Sequence, residues 1–134
     1  MNIPNIACKI EVYAAVTPSE DPAKIRTAVS NVILDASYEY KEGSIKAVSR
    51  DLGSLSRIRE TIRKRKVNRV YRRQMRFHTD GDTTWFYLNK QAAFVDVIAI
   101  CDEAEESPMG PIKVILHSKN LEKIADWLAP EFIE

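Results

Sequence analysis

RIRETIRKRKVNRVYRRQMR, Arg57–Arg76, decides the fold. Read as one helix it is a straight charged rod; read as two it is a corner. With about 100° per residue, Leu55, Ile58 and Ile62 fall within about 60° of one another, whereas Val67, Val70 and Tyr71 centre well over 90° away. One straight helix cannot bury both stripes. The spacing predicts a break at Lys66–Asn68 and a helical pair over about residues 52–76, opened by Asp51 or Ser54.

The same stretch concentrates charge. It holds ten of the chain's 20 Lys and Arg and, in Glu60, one of its 19 acids, a local charge of +9 that leaves the remainder at −8. The overall +1 therefore conceals strong polarisation. A helix built for solubility mixes Glu with Lys at i, i+4, but these cations repel one another. Eight of the ten are Arg, whose planar fork matches phosphate oxygens and whose flat face stacks on unpaired bases. The composition points to nucleic acid, and RNA in particular.

Outward from this segment the elements follow in order. Ile6–Thr17, rich in Ile, Val, Tyr and Ala, reads as a strand ended by Pro18. Ser19 or Asp21 caps a helix from Pro22 to Leu34, with Ile25, Ala28, Val29, Val32 and Ile33 at helical spacing. SYEYK and SIKAVSRD form a hairpin about Glu42-Gly43. Beyond the helical pair, Asp80-Gly81-Asp82 marks a turn, and TTWFYLN and QAAFVDVIAI read as two strands. DEAEESPMG is an acidic loop, PIKVILH a last strand, and Asn120 caps a terminal helix, LEKIADWL. The order is strand, helix, two strands, helical pair, three strands, helix. That predicts one α+β domain over residues 1–134, a largely antiparallel sheet with helices packed on one face.

Length and composition limit the function. At 134 residues, 45% hydrophobic and 29% charged, the chain suits a folded globular domain. AAFVDVIAIC is about half the length of a membrane-spanning helix, and the start of the chain lacks the features of a secretory signal, so no membrane partner and a cytoplasmic location are expected. Cys8 and Cys101 lie in apolar runs and read as buried free thiols. Gly43, Gly53, Gly81 and Gly110 cannot assemble a phosphate-binding glycine loop. His78 and His117 read as solvent-edge or structural, and the acids of 102–106 as a solvated loop. No catalytic residue, metal site or cofactor is expected.

Candidate RNA contacts are Arg63, Lys64, Arg65, Lys66, Arg69, Arg72, Arg73 and Arg76 on the helical pair, with Lys90 and Gln91 at a strand end. Alternation places Trp85 and Tyr87 on one face of their strand and Phe86 and Leu88 on the other, so one pair belongs to the core. Two other readings stand beside RNA: a module docking acidic protein partners, a second copy in a homodimer included, and a small-molecule enzyme.

FYLNKQAAFV followed closely by SPMGPIKV, together with the early VTPSED, resembles an archaeal family of predicted RNA-binding proteins over nearly the whole chain. The resemblance implies a fold similar to the large-subunit ribosomal protein that binds 5S ribosomal RNA, and no catalytic residues. Its matching positions are Pro18, Ser19 and Glu20; Arg63, Lys64, Lys66 and Arg72; Tyr87 to Phe94; and Ser107, Pro108, Gly110, Pro111 and Ile112. It departs at Asp96, where a glycine is expected, and at Arg69 and Val70, where acidic and small residues are expected.

Overall fold

A computed structural model describes residues 3–41 and 43–132. Seven strands, β1 (Lys9–Ala15), β2 (Ser37–Lys41), β3 (Ser44–Ser49), β4 (Thr79–Asp80), β5 (Thr83–Leu88), β6 (Ile100–Cys101) and β7 (Ile112–His117), form one sheet in the order β2-β3-β1-β7-β5-β4, with β6 also pairing to β5. Every pairing is antiparallel. Five helices complete the fold: α1 (Pro22–Ser30), α2 (Ser56–Arg65), α3 (Asn68–Phe77), α4 (Lys90–Phe94) and α5 (Leu121–Leu128).

Strand alternation builds the core, because successive side chains point to opposite faces of the sheet. Ile10, Val12 and Ala14 of β1, Ile45 and Ala47 of β3, Phe86 and Leu88 of β5, and Ile112, Val114 and Leu116 of β7 are all buried in one cluster. Ile25, Ala28 and Val29 of α1, Ile58 and Ile62 of α2, Tyr71 and Met75 of α3, and Ile124 and Leu128 of α5 join them. Tyr71 meets Phe86 edge to face, with ring centroids 5.3 Å apart. The other face of the sheet stays half-buried, carrying Tyr13, Lys46, Trp85, Tyr87, Lys113 and Ile115. Phe86 and Leu88 are thus the core pair, while Trp85 and Tyr87 look outward.

The helical pair breaks where the two stripes diverge. Lys66 closes α2 in the left-handed region at φ 55°, its N–H bonded to the Ile62 carbonyl, and α3 starts two residues later. Asp51 accepts from Gly53 N in a 3-10 turn (Leu52–Leu55) that leads into α2. Asp21, and not Ser19, caps α1 by accepting from Ala23 N. Gly43 adopts φ 80° in the β2–β3 turn, while its predicted neighbour Glu42 lies outside the described residues.

One predicted element is different. QAAFVDVIAI is not a single strand but α4, a loop and the two-residue β6. The Asn89 side chain accepts from Ala92 N, and this cap next to two alanines starts a helix despite the apolar run. The turn ends at Asp96, φ 64°, a region that glycine adopts freely and Asp tolerates. That geometry accounts for the glycine expected at this position. Here Asp96 instead pairs with Arg57. Asn120 does precede α5, but its side chain makes no cap bond; its own N–H donates to Ser118 Oγ.

On the open face, Glu11 is buried and holds three partners. Tyr13 Oη donates to Oε2 at 3.0 Å, Lys46 Nζ lies 3.0 Å from Oε2, and His117 Nε2 lies 2.6 Å from Oε1. Burial pushes the Glu11 carboxyl up, but the bonds from Lys46, His117 and Tyr13 outweigh it and hold it down to about 2, from an ordinary 4.5. A depressed folded-state value stabilises the protein above the unfolded value and stops doing so as pH falls through the folded one. Wild type should therefore melt above Glu11→Gln at pH 7, and the gap should close between pH 4.5 and 2 when both are followed by circular dichroism.

Candidate nucleic-acid interface

Nine of the ten cations of the helical pair fall into three groups. Arg63, Lys64, Arg65, Lys66 and Arg69 are exposed at the α2–α3 corner and form no ion pair among the described residues. Arg73 and Arg76 are exposed on α3 with long contacts of 3.8 Å to Asp102 and to Glu131. Arg57 and Arg59 are committed to the fold: Arg57 pairs with Asp96, and Arg59 donates to the Trp127 carbonyl at 2.8 Å with its guanidinium over the indole ring.

Helix electrostatics explain part of this arrangement. Arg63, Lys64 and Arg65 occupy the last turn of α2, where the negative end of the helix dipole favours cations. Arg69 stands in the first turn of α3, where the dipole disfavours them. Arg59–Arg63, Arg69–Arg73 and Arg72–Arg76 are like-charge pairs at i, i+4. The corner is therefore electrostatically costly in the free protein.

Arg72 points the other way. Its side chain is 7% exposed, with Nη1 donating to Asp126 Oδ1 and to the Ala129 carbonyl, both at 3.0 Å, and with Glu131 and Glu122 at 3.6 and 3.8 Å. It sits on the α3 face shared by Asn68 and Met75, which turns it toward α5 and leaves it no free fork for phosphate. Asn68 is buried beside it and donates to the Pro130 and Glu131 carbonyls.

Lys90 is also internal, at 1% exposure, and belongs to a separate cluster. Its ammonium donates to the Ala15 carbonyl and Glu20 Oε1, both at 2.9 Å, and to the Met109 carbonyl at 2.7 Å, three acceptors for three protons. Burial pushes the Glu20 carboxyl up, but the Thr17 N–H and Lys90 bonded to it bring it below its usual range. Ser107 Oγ accepts the Lys90 backbone N–H, and Gln91, exposed, donates from Nε2 to the Pro108 carbonyl at 2.7 Å. The three segments VTPSE, NKQAAF and SPMG meet at this one buried charge.

The remaining candidates hold structural positions. His117 lies between Glu11 and Thr83, and His78 stacks between Phe77 and Trp85, a ring contact that the flanking sequence does not reveal. Cys8 and Cys101 are buried free thiols whose ionisation burial pushes up. Among the described residues, no group of three or more His, Cys, Asp and Glu could hold a metal ion, and no helix is long and apolar enough to cross a membrane.

A helix-backed antiparallel sheet is the class of protein this fold defines, and solved relatives share it. Residues 9–118 match the model of a family described as RNA binding. Curated relatives are a UPF0201 protein of Metallosphaera sedula, 37% identical over 91% of this chain and 87% of its own, and one of Methanothermobacter thermautotrophicus, 34% identical over 92% of each. A crystal structure of an uncharacterised UPF0201 protein superposes with a TM-score of 0.78 at 33% identity, covering 92% of this chain and 94% of that one. The UPF0201 protein of Methanococcus jannaschii shares the fold with the same TM-score at 24% identity. The chain belongs to this archaeal UPF0201 family of predicted RNA-binding proteins, and none of these relatives carries an enzyme name.

The two internal cations set a test of which residues serve the fold. Lys90→Met removes the ammonium that joins Glu20 and two carbonyls and should lower unfolding free energy by about 3–5 kcal/mol, whereas Gln91→Ala at the surface should change it by about 0.5 kcal/mol or less. Urea denaturation of the two variants separates them.

Proposed function

We propose that this chain is a non-enzymatic, cytoplasmic binder of structured RNA that engages phosphates through the α2–α3 corner. The observation that carries the reading is the set of five exposed cations, Arg63, Lys64, Arg65, Lys66 and Arg69, without ion pairs among the described residues while nearby Arg57, Arg59 and Arg72 are engaged by the fold. Charges kept free at an electrostatic cost are what a polyanion stabilises. Arg73 and Arg76, whose acid contacts are long and solvent-exposed, extend the surface along α3. The fold's rigid sheet fixes both arms, so backbone shape and phosphate spacing dominate over base reading. The family description supports RNA as the partner, and the resemblance to the 5S-RNA-binding ribosomal protein makes ribosomal RNA the first target to test.

Replacing Arg63, Arg65, Lys66 and Arg69 together with Gln keeps side-chain length and helix propensity while removing four charges. The variant should fold with an unchanged or higher Tm, and its affinity for a structured RNA should fall more than tenfold at moderate salt. Each phosphate contact contributes about −0.7 to −0.9 to the slope of log affinity against log salt, so wild type should show roughly −3 to −5 and the variant a much shallower line. Unchanged affinity would remove the corner as the site.

A further inference from the structure

The C-terminal end of α3 runs into a file of aromatic rings whose outermost member is left bare. Phe77, the last residue of α3, is 72% exposed, yet its ring lies parallel to the His78 imidazole, with centroids 5.0 Å apart and 4° between planes. His78 stacks in turn on Trp85 at 5.4 Å and 25°, and Tyr87 meets His78 edge-on at 5.6 Å. Lys113 Nζ sits 5.0 Å from the Trp85 ring centre. A phenylalanine fixed in water at the end of such a file adds nothing to the core. What it offers is a flat apolar surface already oriented for another ring.

The surroundings fit a nucleotide. Arg73 precedes Phe77 by one helical turn on the same side of α3. Its side chain is 65% exposed and reaches the cleft residue Asp102 at 3.8 Å. A cleft of about 530 Å³ is lined by Phe77, His78 and Tyr87 together with Asp102, Glu103 and Glu105. Asp102 is engaged by Gln74 and Arg73, while Glu103 and Glu105 stand exposed. Aromatic rings, carboxylates and an adjacent guanidinium match the three parts of an unpaired nucleotide: base face, hydrogen-bonding edge and phosphate.

We propose that this cleft receives one unstacked RNA base, laid on the Phe77–His78 rings, with Arg73 on a flanking phosphate. The inference rests on the RNA reading above and adds to it the kind of RNA feature that is recognised, a bulged or overhanging nucleotide beside a duplex. The carboxylates set the preference. A carboxylate accepts hydrogen bonds and does not donate, so guanine, with N1–H and N2–H side by side, suits it, while uracil offers one N–H between two carbonyls.

The test uses a fully paired RNA hairpin and the same hairpin with one bulged guanosine or one bulged uridine, titrated by fluorescence anisotropy. Stacking of one base predicts about tenfold tighter binding of the guanosine bulge than of the paired hairpin. Phe77→Ala should erase that gain and leave affinity for the paired hairpin unchanged; since Phe77 lies at the surface, its Tm should stay at the wild-type value. Equal binding of all three hairpins by wild type overturns this inference while leaving the phosphate contacts of the corner in place. Equal gains for the two bulges overturn the carboxylate preference. Binding of none overturns the RNA reading itself. A concentration-dependent dimer in sedimentation velocity that Phe77→Ala abolishes would assign the ring to a second copy of this chain and likewise overturn the proposal.

Discussion

Lys90 determines how one end of the molecule is assembled. An ammonium taken out of water loses its hydration, and the loss is offset only if every proton finds an acceptor at good geometry. The acceptors come from three places far apart in sequence: the Ala15 carbonyl where β1 ends, the Glu20 carboxylate before α1, and the Met109 carbonyl before β7. Met109 presents its carbonyl from the left-handed region, φ 62°, an unfavourable backbone state that the bond to Lys90 helps to hold. Because β1 and β7 are neighbours in the centre of the sheet, fixing their adjoining loops also fixes where α1 and α4 rest. The helical pair then packs on a scaffold whose far end is set.

Arg72 does for α5 what Lys90 does for α4. Its contacts to Asp126 and the Ala129 carbonyl tie α3 to the helix that follows β7. The chain thus uses its basic residues in two distinct ways within one segment, some turned inward as rivets and others left outside. That division explains how a stretch of charge +9 can belong to a well-packed protein. The apolar stripes and three engaged arginines, Arg57, Arg59 and Arg72, anchor the arms, and the exposed cations face water.

The architecture was readable where periodicity was unopposed. The β2–β3 hairpin and the break at Lys66–Asn68 each follow from spacing within a few residues, whereas alternation in β5 says that one pair faces the core and only the fold identifies it as Phe86 and Leu88. The α4 segment was not readable in the same way, because AAFVDV is as apolar as a strand and only the Asn89 cap, a local hydrogen bond, tips it to helix. Arg72 and Lys90 escaped for a different reason. Their burial depends on carbonyls and carboxylates up to 75 residues away, which no local pattern encodes. A wheel drawn on Tyr71 and Met75 instead of Val70 would have moved Arg72 toward the packed side, about 60° from Met75. His78 reads in the sequence only as a solvent-edge or structural histidine and Phe77 carries no signal there, since the rings that organise them lie on β5.

The left-handed turn at Lys66 carries a kinetic consequence. Two arms of ten residues each are about 15 Å long, and joined straight they would string their charge along some 30 Å, more than a Debye length at physiological salt, so that the two ends would be screened from each other. Folding the arms at Lys66 gathers Arg63, Lys64, Arg65 and Arg69 around one vertex, where their potentials add. A concentrated field of this kind accelerates diffusional encounter with a polyanion and aligns it on approach. For the polyanion proposed above, the turn would therefore set how fast it is met, a quantity separate from how long it stays bound.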